Sequence, residues 1–430
     1  MKSSLIKSCY YESSNDLTIR NIFIFGLIFS LLAPYSLLPP PYVSQYIVQI
    51  TVSFLVLALT LLDKGKTQKS SCPPGLFIFS FITILLAIIS GINTLFESNS
   101  LYDFRDSVRP FSFICLLFAI FLSSKKINHL KFAKQIYFIC GIYILINSFI
   151  SIIWIFDKTY IDTVINLFVS PSDPVFYAGY WRYTGLSGQP NFNAISTFTV
   201  GLFVLLFPAK SKFLKYFILF STIPVLIFSS SRTVFAALTI ITILKFTLSS
   251  KSLFTNMRFS LFHFLVVSFL FVLFISVFIT FFDADDYFTI RISTVFDYSD
   301  DDRRIILYEF IDYFLHNPLH FLFGKLGDIN ISGYSFTDND YLLLITKYGF
   351  LQSINIFICI FLFSYSASIK ARKNPTNKLI AFGFQFFIWY IVFALIVSIA
   401  SAIVSAPSLI YLPLICLSFI LNNRHNISLF

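Results

Sequence analysis

Three short polar clusters interrupt an otherwise apolar chain, and their residue types are those that handle phosphate and protons. The first is Trp181-Arg182-Tyr183-Thr184-Gly185-Leu186-Ser187-Gly188-Gln189-Pro190-Asn191-Phe192-Asn193. The second is Ser229-Ser230-Ser231-Arg232-Thr233. The third runs from Ser299-Asp300-Asp301-Asp302-Arg303-Arg304 through Glu309 to Asp338-Asn339-Asp340-Tyr341-Leu342. A guanidinium stays charged and grips phosphate oxygens in a bidentate fork, so Arg182, Arg232, Arg303 and Arg304 are candidate clamps on a phosphorylated group. Asn191 and Tyr341 join them as candidate substrate-binding residues. A carboxylate within reach of a hydroxyl acts as general base, worth roughly 10²–10⁴-fold, and Asp338, Asp340 and then Glu309 are the candidates. Each cluster alone has an ordinary alternative. Arginines at helix ends anchor to lipid headgroups, Gly/Pro/Asn clusters make turns, and Asp338 with Asn339 also suits a helix cap. The same two readings stay open for Arg105 and Arg109.

Those clusters sit between long apolar segments. Hydrophobic residues make up 57% of the 430-residue chain and the mean hydropathy is +0.80, which excludes a soluble globule of this length. Apolar runs of about 18–22 residues, each able to cross a hydrocarbon core of about 30 Å, recur throughout. They lie near 21–38, 42–62, 75–95, 109–124, 135–156, 192–208, 215–230, 233–249, 259–282, 340–369, 378–399 and 402–421. The expected fold is therefore an all-α polytopic integral membrane bundle of about twelve transmembrane helices, a single domain over 1–430. The polar stretch before the first span, with no small-residue cleavage site, reads as an uncleaved signal anchor.

The charges in the gaps set an orientation. With the amino terminus in the cytoplasm, the inner gaps and the two tails collect 21 basic residues against three acidic ones (Glu12, Asp16 and Asp63). The outer gaps collect 10 basic and 18 acidic residues. Short cytoplasmic loops carry such an excess of lysine and arginine, so both termini are expected on the cytoplasmic side. The net charge of +10 is then a topology signal and not a nucleic-acid patch. Cys9 and Cys72 fall in inner segments and Cys115, Cys140, Cys359 and Cys416 in spans, so no disulfide framework is expected outside. His263 and Lys245 are ionisable residues within proposed spans, both near the inner face.

Two outer gaps are long, 157–191 and 283–339, and long loops are usually functional. In the second, Ser299 or Asp300 suits an N-cap, acidic residues follow in the first turn, and Ile306, Phe310, Ile311 and Phe314 recur at helical spacing. That pattern predicts an amphipathic helix at the membrane face or against the bundle, ended by Asn317-Pro318. Gly324, Gly327 and Gly333 mark turns after it. No internal repeat or midplane ion pair suggests a transporter.

Taken in order, the clusters resemble the O-antigen ligase and polymerase (Wzy-type) superfamily over residues 97–369. Its members are similar in having about a dozen spans, an R-x-x-G…P-N-x-x-A start to a mid-chain helix and an S-x-S-R-T bend. A large late outer loop with an arginine-led helix follows, then H/D-N-x-Y-L…G. Here these are Arg182 to Gly185, Pro190 to Ala194, Ser229 to Thr233, Arg303/Arg304, and Asp338 to Leu342 with Tyr348-Gly349. The ligase branch typically has histidine where this chain has Asp338. His316 and His320 lie upstream, with Pro318 between them, and do not substitute for it.

The resemblance implies a glycosyltransferase that polymerises a surface polysaccharide. It would transfer a growing glycan from undecaprenyl pyrophosphate to the next lipid-linked repeat unit at the periplasmic face. The arginines would hold the leaving pyrophosphate, each such donor worth about 3 kcal/mol in the transition state, and Asp338 or Asp340 would take the acceptor's proton. A lipid-linked oligosaccharide, membrane lipid and a chain-length regulator protein are the implied partners, with no nucleic acid. An O-antigen ligase is the near alternative and a lipid-linked oligosaccharide flippase the alternative of another class. Asp283-Ala284-Asp285 resembles the D-x-D metal motif of nucleotide-sugar glycosyltransferases, but an arginine clamp needs no metal, and no cofactor is expected.

Overall fold

The computed structural model describes residues 14–32, 45–62, 74–97, 108–123, 127–156, 176–177, 180–181, 183, 185–187, 190–229, 231, 233–235, 237–241, 301–325, 330–331, 334–335, 340–398 and 407–422. Almost all of them are helical. We number the helices α1 (Ser14–Leu32), α2 (Gln45–Leu62), α3 (Pro74–Glu97), α4 (Val108–Ser123), α5 (His129–Phe156), α6 (Pro190–Leu206), α7 (Lys212–Phe220), α8 (Thr222–Ser229), α9 (Asp301–His316), α10 (Pro318–Phe323), α11 (Asp340–Lys373), α12 (Lys378–Val397) and α13 (Pro407–Asn422). Two antiparallel hairpins accompany them, β1 (Phe176–Tyr177) with β2 (Tyr180–Trp181) and β3 (Asn330–Ile331) with β4 (Tyr334–Ser335). The expected span near 259–282 and the Asp283/Asp285 pair lie outside the described residues.

Local chemistry explains where helices begin. Proline opens α3, α6, α10 and α13, where its missing N–H is no loss and its fixed φ suits the first turn. Ser211 caps α7 by accepting from Leu214 N at 3.2 Å, and Asn377 caps α12 by accepting from Leu379 N and Ile380 N at 3.1 and 3.2 Å.

Among the described residues, five helical segments are long and apolar enough to cross a membrane: Phe77–Thr94, His129–Trp154, Lys212–Ser229, Tyr341–Lys373 and Lys378–Val397. On α3 the buried stripe includes Ser80, Thr83, Ser90 and Thr94, while Phe77, Ile78, Phe81 and Ile88 face outward, Phe81 at 69% exposure. Large apolar side chains are exposed on most helices, among them Phe25, Leu61, Phe138, Phe213 and Phe361. Such surface is unfavourable in water and natural in lipid.

Aromatic contacts fix the directions in which neighbours run. On α6 and α12, Phe198 stacks on Phe393 at 4.2 Å, while Phe203 meets Phe386 at 5.5 Å and Phe207 meets Phe382 at 5.4 Å. The rising numbers on one helix match falling numbers on the other, so the two are antiparallel. Phe77–Phe118 and Phe79–Phe113 set α3 against α4 in the same way. α1 packs on α13, where the Tyr411 hydroxyl donates to the Phe23 carbonyl at 3.2 Å. The start of α5, the end of α6, the start of α7, the end of α11 and the start of α12 thus share one end of the bundle. Lys131, Lys134, Lys210, Lys212, Lys215, Lys370, Arg372, Lys373 and Lys378 all belong to it.

Two expectations are corrected. The first helix begins at Ser14, within the stretch read as polar, because Ile19, Phe23 and Leu27 form a buried stripe that continues through it. The segment 340–369 is not one straight crossing. Gly349 has φ 82° and ψ 164°, which breaks α11 into a short helix over 340–348 and a longer one over 350–373. Tyr341 and Phe357, sixteen positions apart, would be about 24 Å apart along a straight helix. Their rings lie 6.1 Å apart, so the short helix folds back on the long one.

Candidate functional site

The first two polar clusters meet in a buried hydrogen-bonded knot. Pro190 starts α6, and one turn later Asn193 is fully buried beside Asn147 of α5. Asn147 Nδ2 donates to Asn193 Oδ1 at 2.7 Å and to Thr197 Oγ1 at 3.2 Å. Asn193 Nδ2 donates to Ser229 Oγ at 3.1 Å, at the end of α8. The Tyr183 hydroxyl donates to Asn147 Oδ1 at 2.9 Å, and the Tyr183 backbone N–H donates to the Phe228 carbonyl at 3.0 Å. Trp154 closes the knot, with ring centroids 5.6 Å from Tyr183 and 6.2 Å from Phe228.

Conformation and space hold the loop against this knot. Gly185, at φ +58°, lies so close to the Asn193 carboxamide that a Cβ there would overlap it. Every group in the knot is uncharged and none is a proton-transfer residue. Its role is to fix the loop ahead of α6 and the bend after α8 in one place, with hydrogen bonds that no membrane interior would otherwise supply. Ser231, in that bend, is buried, and its Oγ has no hydrogen-bond partner among the described residues.

The candidate residues distribute around this frame as follows. Asn191 lies in the first turn of α6, half-buried, two positions ahead of the Asn193 link. Arg182 and Arg232 lie outside the described residues, each the direct chain neighbour of a buried residue, Tyr183 and Ser231. Tyr341 is joined to α12, its hydroxyl donating to the Leu395 carbonyl at 2.6 Å. Phe393, two positions away on α12, stacks on Phe198 of α6, so Tyr341 and the knot share one end of the bundle. Asp340 is the first residue of α11, and Asp338 lies outside the described residues.

The arginine-led segment does form a helix, α9, and it ends at His316 ahead of Asn317-Pro318. Arg303 and Arg304 lie in its first turn. Glu309 is half-buried two turns on, and its Oε2 is buried with no partner among the described residues. Phe310 is buried, but Ile311, expected on the same apolar face, is about half exposed. Glu309 belongs to a group of α9, α10 and β3 that is distinct from the Asn147 knot. The two upstream histidines differ in kind. His316 is exposed on Asp312, while His320 is buried with its Nδ1 2.8 Å from the Tyr313 hydroxyl.

α10 docks on the break in α11. Gly324 and Gly349 cross backbone to backbone, Lys325 N donates to the Thr346 carbonyl at 2.8 Å, and Ser90 Oγ donates to the Lys347 carbonyl at 3.0 Å. Beneath the fold-back helix, α3, α4, α12 and α13 enclose a cavity of about 150 Å³. Its walls are mainly Phe, Leu and Ile, relieved by Thr83, Ser112, Gln352 and Tyr390, and it suits a hydrocarbon chain better than a sugar.

Sequence reasoning missed Asn147 and Thr197. The signal was present: an uncharged polar side chain inside a long apolar run needs a partner on another helix, since lipid offers none. Asn147 and Ser148 are such a pair within 135–156. No known family and no curated protein matches this chain.

Proposed function

We propose that the chain is a membrane-embedded glycosyltransferase that polymerises a surface polysaccharide in a bacterial inner membrane. In this reading it has twelve spans, cytoplasmic termini, and a periplasmic site roofed by the 157–191 and 283–339 loops. The observation that carries the proposal is the pair of links Tyr183 N to Phe228 O and Asn193 to Ser229. They tie together the two sequence clusters that contain Arg182 and Arg232. The grouping of basic residues at the opposite end of the bundle supports the orientation.

In this mechanism the acceptor sugar's hydroxyl oxygen attacks the anomeric carbon of the lipid-linked donor. The bond from that carbon to the pyrophosphate oxygen breaks, and undecaprenyl pyrophosphate leaves with the electron pair. Arg182, Arg232, Arg303 and Arg304 neutralise the departing charge, Asn191 and Tyr341 orient the sugars, and Asp338 or Asp340, with Glu309 as the reserve, takes the hydroxyl proton. No metal or cofactor enters the step.

The test is the surface lipopolysaccharide band pattern of a host lacking only this gene, complemented with the wild type or with Arg232→Ala. A ladder that collapses to core plus one repeat unit, rescued by the wild type and not by the variant, is the expected result. Bare core with long polymer left on its lipid carrier would identify a ligase. Single units trapped on the inner leaflet would identify a flippase.

A further inference from the structure

A second site lies at the other end of the bundle, among the clustered basic residues. The early turns of α5, the 207–211 connection and the start of α7 border an open surface cavity of about 310 Å³. Tyr137 stacks on Phe207 at 4.7 Å to make its floor, with Pro208 and Leu214 beside them. Lys134 and Lys210 line it, both exposed, and no carboxylate does. The Tyr137 hydroxyl is buried and has no hydrogen-bond partner among the described residues. α7 begins here at its Ser211 cap, so its amide-rich end adds partial positive charge. Lys215 is occupied elsewhere, its Nζ donating to the Phe207 carbonyl at 3.0 Å.

The surroundings decide what kind of anion fits. Outside the rim, Phe138 of α5 and Phe213 and Phe217 of α7 are exposed at 67%, 83% and 50%. A free phosphate gains nothing from such a floor and apron, whereas a molecule with a charged head and apolar tails matches both.

We propose that this cavity binds an anionic phospholipid of the leaflet at this end of the bundle. The phosphate lies between Lys134 and Lys210, and the acyl chains run over the exposed aromatic faces of α5 and α7. Basic residues near a membrane surface attract anionic lipid with about 1 kcal/mol each, which is about fivefold in affinity per lysine. The lipid would pin α7 to α5 and so steady the α7–α8 arm, whose far end carries Ser229. The site does not depend on the proposed polysaccharide chemistry.

The experiment uses the purified full chain in detergent and counts retained lipid by native mass spectrometry. Phosphatidylglycerol is titrated against phosphatidylcholine with the same acyl chains, at low salt. The expected result is one tightly held phosphatidylglycerol, with affinity lowered about 25-fold in Lys134→Gln/Lys210→Gln. Lys370→Gln/Arg372→Gln, at the same end but outside the cavity, should leave it unchanged. An equal loss in that control would reduce the effect to bulk charge and overturn the site. Equal retention of phosphatidylcholine, or displacement of the lipid by millimolar inorganic phosphate, would overturn it too.

Discussion

Replacing Asn147 by leucine isolates what the buried knot contributes. Leucine keeps the branched heavy-atom outline of asparagine with bulkier ends, while three side-chain hydrogen bonds disappear: to Asn193 at 2.7 Å, to Thr197 at 3.2 Å and from Tyr183 at 2.9 Å. Hydrogen bonds between membrane helices average about 0.6 kcal/mol, so the three sum to about 2 kcal/mol. Asn193 Oδ1 is also left in a fully buried place without its donor, and an orphaned polar group costs about 1–3 kcal/mol. The expected loss is therefore about 3–5 kcal/mol. It is measured by reversible unfolding in mixed micelles with rising dodecyl sulfate, followed by tryptophan fluorescence, since Trp154 packs on Tyr183. Thr197→Val should cost about 0.6 kcal/mol alone and almost nothing in the Asn147→Leu background. If Asn147→Leu unfolds within about 0.5 kcal/mol of the wild type, the knot is not a determinant of the structure and the reasoning fails.

Three other substitutions probe the frame and the chemistry. Gly185→Ala forces a side chain into left-handed backbone at about 1–2 kcal/mol and pushes on Asn193, so thermal unfolding should come earlier, with part of the loss recovered in an Asn193→Ala background. Tyr341→Phe keeps the ring against Phe357 but deletes the 2.6 Å bond to the Leu395 carbonyl, and the same unfolding titration should read a loss of about 1 kcal/mol. Asp338→Asn retains a residue able to cap a helix while removing the proposed base, so it should abolish polysaccharide laddering; a full ladder would remove Asp338 from the base role.

The parts of this structure that local chemistry controls were legible in the sequence. The α9 boundary followed from Asn317-Pro318, and α6 starts at the Pro190 that the motif contains. The start of α1 was misplaced because Asp16 and Arg20 read as solvent-facing, whereas Arg20 is buried on the stripe of Ile19 and Phe23. The break at Gly349 was hidden for a different reason. A lone glycine in a run such as Thr346-Lys347-Tyr348-Gly349-Phe350 is tolerated within a helix. Its positive φ comes from the crossing with Gly324, a contact that no local pattern encodes. The site divides in the same way: the motifs pointed to the 183–193 and 229–233 segments, but Asn147, the residue that joins them, lies outside every motif.

The pairing of α1 with α13 also has a bearing on biosynthesis. Phe23 and Tyr411 are 388 positions apart, and ribosomes add about 5–20 residues per second. For roughly 20–80 seconds, then, the Ile19, Phe23 and Leu27 stripe of α1 is already made while one of its permanent neighbours, α13, is not. During that interval the stripe must be covered by lipid, by the insertion machinery or by the nascent α2. The bundle closes only as residue 411 arrives, so translational pausing in the last helices would lengthen the life of an open, misassembly-prone intermediate. A helix-by-helix crosslinking series on stalled chains, with a probe at Phe23, would time that closure directly.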